Sequence, residues 1–204
     1  MRKLVCAAAL TLMAAALPVG MSATPARAAT TWTVSPGGSF TASGGYQLVD
    51  TSANNFAACA SSSTLTGSFK SGSGLSGSGI GRITSLGLDQ CGQTGPLAWR
   101  INANFYHATS NVASGNITKI HFAVSEPDCT FVVDGTGDTA DNGMVRINWY
   151  NTTKNPGTAL RFRSVGSTLH AYDVNGCFNI VHDGDTMFMD VRNGITPRQM
   201  ITSP

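Results

Sequence analysis

Strict alternation of apolar and polar positions is the dominant pattern along this chain. Trp99, Ile101, Ala103 and Phe105 alternate with Arg100, Asn102, Asn104 and Tyr106. Ile120, Phe122 and Val124 alternate with Lys119, His121 and Ala123, and Val145, Ile147 and Trp149 with Met144, Arg146 and Asn148. Each run predicts a strand with one buried face and one wetter face. Less regular runs at 31–34, 46–50, 64–69, 80–86, 129–133, 159–164, 169–174 and 186–192 extend the series. Trp99 and Trp149 share the parity of their apolar neighbours, and Trp32 that of Val34, so all three indoles are expected in the core.

Between these runs lie pairs that tolerate positive φ and close hairpins: Pro36-Gly37-Gly38, Gly44-Gly45, Asp134-Gly135, Asn142-Gly143, Asn155-Pro156-Gly157, Asn175-Gly176, Asp183-Gly184 and Asn193-Gly194. The Gly/Ser run from Ser71 to Gly81 reads as one flexible loop. No segment beyond Ala28 keeps a helical period. The expectation is an all-β domain, an antiparallel β-sandwich or barrel of roughly ten strands.

The first 28 residues follow a different pattern. Arg2 and Lys3 precede an apolar run from Leu4 to Val19, and Ala26-Arg27-Ala28 offers a small-x-small cleavage site. This is the pattern of a secretory signal peptide, too short for a membrane anchor. Residues 29–204 then form a single β-rich domain that is secreted and extracellular. Removing Arg2, Lys3 and Arg27 leaves ten of the thirteen basic residues against eleven acids, a net charge of −1. Summed over the chain, this gives no support to a basic patch for nucleic acid or an anionic membrane, and neither partner is expected.

Cys6 leaves with the leader. Cys59, Cys91, Cys129 and Cys177 remain, an even number that in an exported chain reads as disulfides. Three pairings exist; that of sequence neighbours, Cys59–Cys91 and Cys129–Cys177, is expected, each contributing roughly 4 kcal/mol in the chain-entropy model. The spacings are too wide for a zinc ribbon or a redox C-x-x-C pair.

Candidate chemistry is sparse. Gly72-Ser73-Gly74-Leu75-Ser76-Gly77 satisfies G-x-G-x-x-G, but no helix opens after it to receive a pyrophosphate. There is no G-x-S-x-G in that run. The loop Asp134–Asp141 carries Asp134, Asp138 and Asp141 yet lacks the order of a helical calcium loop, so turn capping is the expected role of its acids. His107, His121, His170 and His182 have no metal-like spacing and no adjacent nucleophile motif. Only Asp50 and Asp89 precede Glu126, which argues against a paired-carboxylate glycosidase. No catalytic, cofactor-binding or metal-binding residue is assigned, and no cofactor is expected.

Several segments resemble one family of exported actinobacterial small β-rich proteins of uncharacterised function. The likeness runs from Thr31-Trp32-Thr33-Val34-Ser35-Pro36-Gly37-Gly38 through the Gly72–Gly81 run and Ala140-Asp141-Asn142-Gly143 to Gly176-Cys177 and the terminal Gln199-Met200-Ile201-Thr202-Ser203-Pro204. It implies a secreted, β-rich, disulfide-bonded protein and brings no catalytic residue. The expected function is non-catalytic binding or a structural role outside the cell, with a cell-surface component or small hydrophobic ligand as partner and a monomeric chain. The alternatives are a barrel carrying a lipid in its interior, which needs a cavity of roughly a few hundred Å³, and a hydrolase pairing one of the histidines with Asp183 or Asp185. A surface binder working by apolar contact needs an exposed apolar patch of roughly a few hundred Å².

Overall fold

Alternation becomes fifteen strands among the described residues of the computed structural model. The structure describes residues 31–52, 56–88, 92–94, 97, 99–104, 111–137, 141–151, 160–163 and 166–203, and of 56–61, 92–94, 104 and 163 the backbone alone. The leader, Phe105, His107 and the Asn155-Pro156-Gly157 turn lie outside the described residues. In chain order the strands are β1 (Thr31–Ser35), β2 (Gly38–Asp50), β3 (Phe56–Phe69), β4 (Gly72–Ser76), β5 (Gly81–Leu88), β6 (Gly92–Thr94), β7 (Trp99–Asn104), β8 (Val112–Ile120), β9 (Phe122–Glu126), β10 (Cys129–Asp134), β11 (Gly143–Tyr150), β12 (Leu160–Arg163), β13 (Leu169–Gly176), β14 (Thr186–Thr196) and β15 (Met200–Thr202). Among the described residues no α-helix occurs, and none is therefore long and apolar enough to cross a membrane.

The alternative between sandwich and barrel resolves in favour of a barrel. Eight antiparallel strands run β12-β11-β8-β7-β5-β3-β2-β14, and β12 closes onto β14 through Leu160 opposite Asn193 and Arg161 opposite Arg192. Closure leaves no unpaired edge along this ring, whereas an open sheet would expose two. The first turns of β14 use the same edge for β13, with Leu169 opposite Met187 and His170 opposite Thr186. From β13 a second arc continues through β10, β9 and β6. The roughly ten expected strands become fifteen because β4, β6 and β15 are only three to five residues long, too short to show alternation, and because the single run expected around 119–124 is divided between β8 and β9.

One bulge joins the two arcs. Gly143 lies opposite Ile120 but Met144 opposite Thr118, so Lys119 (φ 62°) is the extra residue. Such a bulge bends its strand. Here β8 leaves the barrel at His121 and continues as β9 against β10.

Two expected turns are strand interiors. Gly44-Gly45 and Asn193-Gly194 meet each other across β2 and β14, with Gly44 opposite Asn193 and Ser43 opposite Gly194. A Cβ at Gly44 would collide with the Arg192 carbonyl oxygen and lie 2.7 Å from Asn193 Oδ1, so the bare residue is needed for close approach, not for a turn. Gly44→Ala is expected to cost roughly 1–3 kcal/mol. Gly45→Ala, where nothing lies within 4 Å of the added carbon, should be close to neutral. Urea midpoints of the two variants compare them directly, and equal midpoints would contradict the close-approach account.

The expected loop 71–81 also contains a strand. Gly72–Ser76 pairs with β1, and β1 with β15, as a separate three-stranded sheet. Pairing, rather than the weak strand propensity of Gly and Ser, holds β4 in place. This sheet docks on the barrel by hydrogen bonds from Trp149 Nε1 to the Gln199 carbonyl (3.0 Å) and from Asn151 Nδ2 to the Ile201 carbonyl (2.7 Å).

Inside, the alternating apolar faces merge into one core that includes Trp32, Trp99 and Trp149, each at most 1 % exposed. A partly open pocket lined mainly by Ile80, Ile101, Ala113, Ile147, Trp149 and Ile201 measures only about 10 Å³, far below what a lipid needs. Cys129 and Cys177 form the expected disulfide, tying β10 to the short 3-10 turn Cys177–Asn179. The Cys59–Cys91 pairing lies outside the described residues.

Candidate functional site

Two features stand out once the strands are in place. The first is assembled by the Lys119 bulge, which brings His121 over the end of β10. His121 Nδ1 lies 2.8 Å from Asp134 Oδ2 and 3.7 Å from Asp141 Oδ1. The other Asp134 oxygen accepts backbone N–H bonds from Gly135 (2.6 Å), Asn142 (3.0 Å) and Gly143 (3.1 Å). Asp134 is fully buried. Burial alone would raise its carboxyl, but the His121 contact and the three backbone donors outweigh it and hold the group below the ordinary carboxylate range.

One donor atom from each of His121, Asp134 and Asp141 lies within 4.8 Å of the others, a set of a size that open metal sites use. Each Asp134 oxygen is nevertheless already engaged by protein donors or by the imidazole. The arrangement is that of a clasp: a buried carboxylate closes the 134–143 loop and fixes the start of β11. The expected turn-capping role is seen for Asp134; Asp141 faces His121, and Asp138 lies outside the described residues.

The acids and histidines proposed for a hydrolase meet only in part. His182 Nδ1 lies 3.3 Å from Asp185 Oδ2, and the same oxygen accepts the His182 backbone N–H at 2.7 Å. His170 Nδ1 contacts the Gly184 carbonyl at 3.2 Å, and Asp183 accepts the Val174 N–H. Among the described residues no hydroxyl or thiol is hydrogen-bonded to His121, His170 or His182, so none of these pairs is completed by a nucleophile. The G-x-G-x-x-G run becomes β4 and the turn after it, with no helix N-terminus to receive a phosphate.

The second feature is electrostatic. The adjacent strands β5, β7, β8, β11 and β12 form a continuous wall of the barrel. They carry Arg82, Arg100, Lys119, Arg146, Arg161 and Arg163 and not one Asp or Glu. Among the described residues the acids lie off these strands: Asp50 at the end of β2, Glu126, Asp128 and Asp134 along β9 and β10, Asp141 two residues before β11, Asp173 on β13, and Asp183, Asp185 and Asp190 beside or on β14. A near-neutral chain is therefore strongly polarised. At one end of the wall an open cleft of about 460 Å³ is lined by Ser68, Lys70, Ser78, Gly79, Arg82 and Arg100 over Phe69, Ile80 and Gly81.

Arg82 and Arg100 stand directly opposite each other across β5 and β7. Like charges in that relation repel. Arg82 Nε donates to Ser68 Oγ at 3.2 Å, and among the described residues neither arginine nor Lys70 has an acidic partner. The surface offers little apolar alternative: Phe178 (75 % exposed) and Met200 (48 %) are the exposed large hydrophobics among the described residues. Binding by apolar contact loses support, and binding by charge gains it.

Sequence reasoning named His121, Asp134 and Asp141 one by one but did not bring them together, and it passed over Lys70, Arg82 and Arg100. One signal for the wall was present: residues 90–125 and 142–172 contain no acid at all. Comparison of the chain with protein-family models, curated proteins and solved structures finds no match.

Proposed function

We propose that the protein is exported and acts as a non-catalytic binding protein at the cell surface or in the medium, holding anionic ligands on the wall of β5, β7, β8, β11 and β12. The observation that carries this reading is the separation of charge: six cations and no acid on five neighbouring strands. Cations clustered on one surface attract anions over about 10 Å at 0.1 M salt, well beyond contact. The packed core and His–Asp pairs that no nucleophile completes among the described residues are what a protein working through its outer surface would have.

The test is chromatographic. At pH 7.5 and low ionic strength the leader-free chain, of net charge −1, should be retained on a sulfated matrix and released as salt approaches physiological strength, where screening shortens to about 8 Å. Passage through the column at low salt, or stoichiometric labelling by a serine-reactive probe, would overturn the reading.

A further inference from the structure

The cleft at the end of the wall is more specific than the wall itself. Antiparallel partners place their Cβ atoms about 4.5–5.5 Å apart, so the Arg82 and Arg100 guanidinium groups rise from neighbouring points on one surface. A guanidinium presents donors in a planar fork matched to oxyanions, and contacts of about 2.8 Å from two such forks can be made to a single tetrahedral group. Lys70 follows β3 at the cleft's edge, and Ser68 and Ser78 add hydroxyls. The floor is the Phe69 ring, against which Gly81 packs without a side chain; a Cβ there would lie 2.7 Å from Phe69 Cδ1. Gly79, whose N–H is held by Asn102 Oδ1 at 2.7 Å, forms the opposite rim. Three cations, two hydroxyls and no carboxylate line one open cleft.

Resting on the reading of the wall as an anion-binding surface, we propose that this cleft is a site for a phosphate or sulfate group borne by an extracellular ligand. The bound anion would sit between Arg82 and Arg100 and relieve the repulsion that the folded chain otherwise retains there, with Lys70 neutralising the remaining charge. Recognition would be by the oxyanion and not by the body of the ligand, since the cleft is open and its apolar surface is limited to the floor.

The experiment is titration calorimetry of the exported chain with inorganic phosphate and inorganic sulfate, followed by glucose 6-phosphate and glucose 6-sulfate. Saturable one-site binding of the inorganic ions is expected, weakened at least tenfold in Arg82→Gln and in Arg100→Gln and by less than twofold in Arg161→Gln, which lies on the wall outside the cleft. Whichever of the two sugar esters binds the more tightly identifies the source of the group. Because each cleft variant removes a like-charge pair, its melting temperature without ligand should equal or exceed that of the parent. Phosphate should raise the melting temperature of the parent but not of either cleft variant. No saturable binding, or equal affinity in parent and cleft variants, overturns the site. Retention of the cleft variants on the sulfated matrix would still be expected from Arg146 and Arg161, so failure of the site and failure of the wall are separate results.

Discussion

Replacing Asp134 by alanine should destabilise the protein by about 3–5 kcal/mol, one of the two largest single effects expected here. The carboxylate is fully buried and accepts three backbone N–H bonds while pairing with His121. Truncation leaves the donors of Gly135, Asn142 and Gly143 to find new partners, and unmade buried hydrogen bonds cost far more than made ones gain. Asp134→Asn keeps one carbonyl acceptor and should cost less. The same group sets a pH dependence. Its folded pKa lies below the unfolded value of about 3.9, so between the two the unfolded chain binds more protons. The stabilisation is therefore complete above about pH 4 and is lost as pH falls through the folded pKa. Urea midpoints measured downward from pH 5 should drop less steeply in Asp134→Ala than in the parent; parallel curves would remove the clasp from the account.

Opening the Cys129–Cys177 bridge should have an effect of similar size. Its ends are 48 residues apart in sequence, and the chain-entropy model assigns about 4 kcal/mol to closing such a loop. The bridge also holds a turn in which Cys177, Phe178 and Asn179 all have positive φ (59°, 49° and 57°), a conformation costly for side chains other than glycine. A Cys129→Ala/Cys177→Ala double variant should melt well below the parent, and adding reductant to it tests the second pair. A further fall on reduction would reveal a Cys59–Cys91 bridge; an unchanged melting curve would leave Cys129–Cys177 as the only stabilising one.

What could be read from the residues depended on how local their signal was. Period-two alternation marked β7, the β8–β9 junction and β11, and parity alone turned Trp99 and Trp149 inward. Gly44-Gly45 and Asn193-Gly194 misled because a residue without Cβ serves a tight turn and a close strand contact equally well. Only their pairing across β2 and β14 distinguishes the two uses. The clasp needs a bulge at Lys119 to bring His121 to Asp134, thirteen residues away, and nothing local announces it. Net charge concealed the wall for a different reason: a sum over residues discards position, and strand order decides which residues become neighbours.

The seam between β2 and β14 has a temporal consequence. Ten residue pairs there join Thr41–Asp50 to Met187–Thr196, and β1 likewise waits for β15. A ribosome delivers the chain from its N-terminus, so the barrel's early strands must remain unsealed until β14 and β15 have emerged. Such distant pairings place the chain among slow folders, on the scale of milliseconds to seconds. A chain cut before Thr186 would bare the ten residues of β2 that β14 covers, a template for pairing with other copies. The order of synthesis thus favours a barrel that stays open through elongation and closes once, when β14 has emerged.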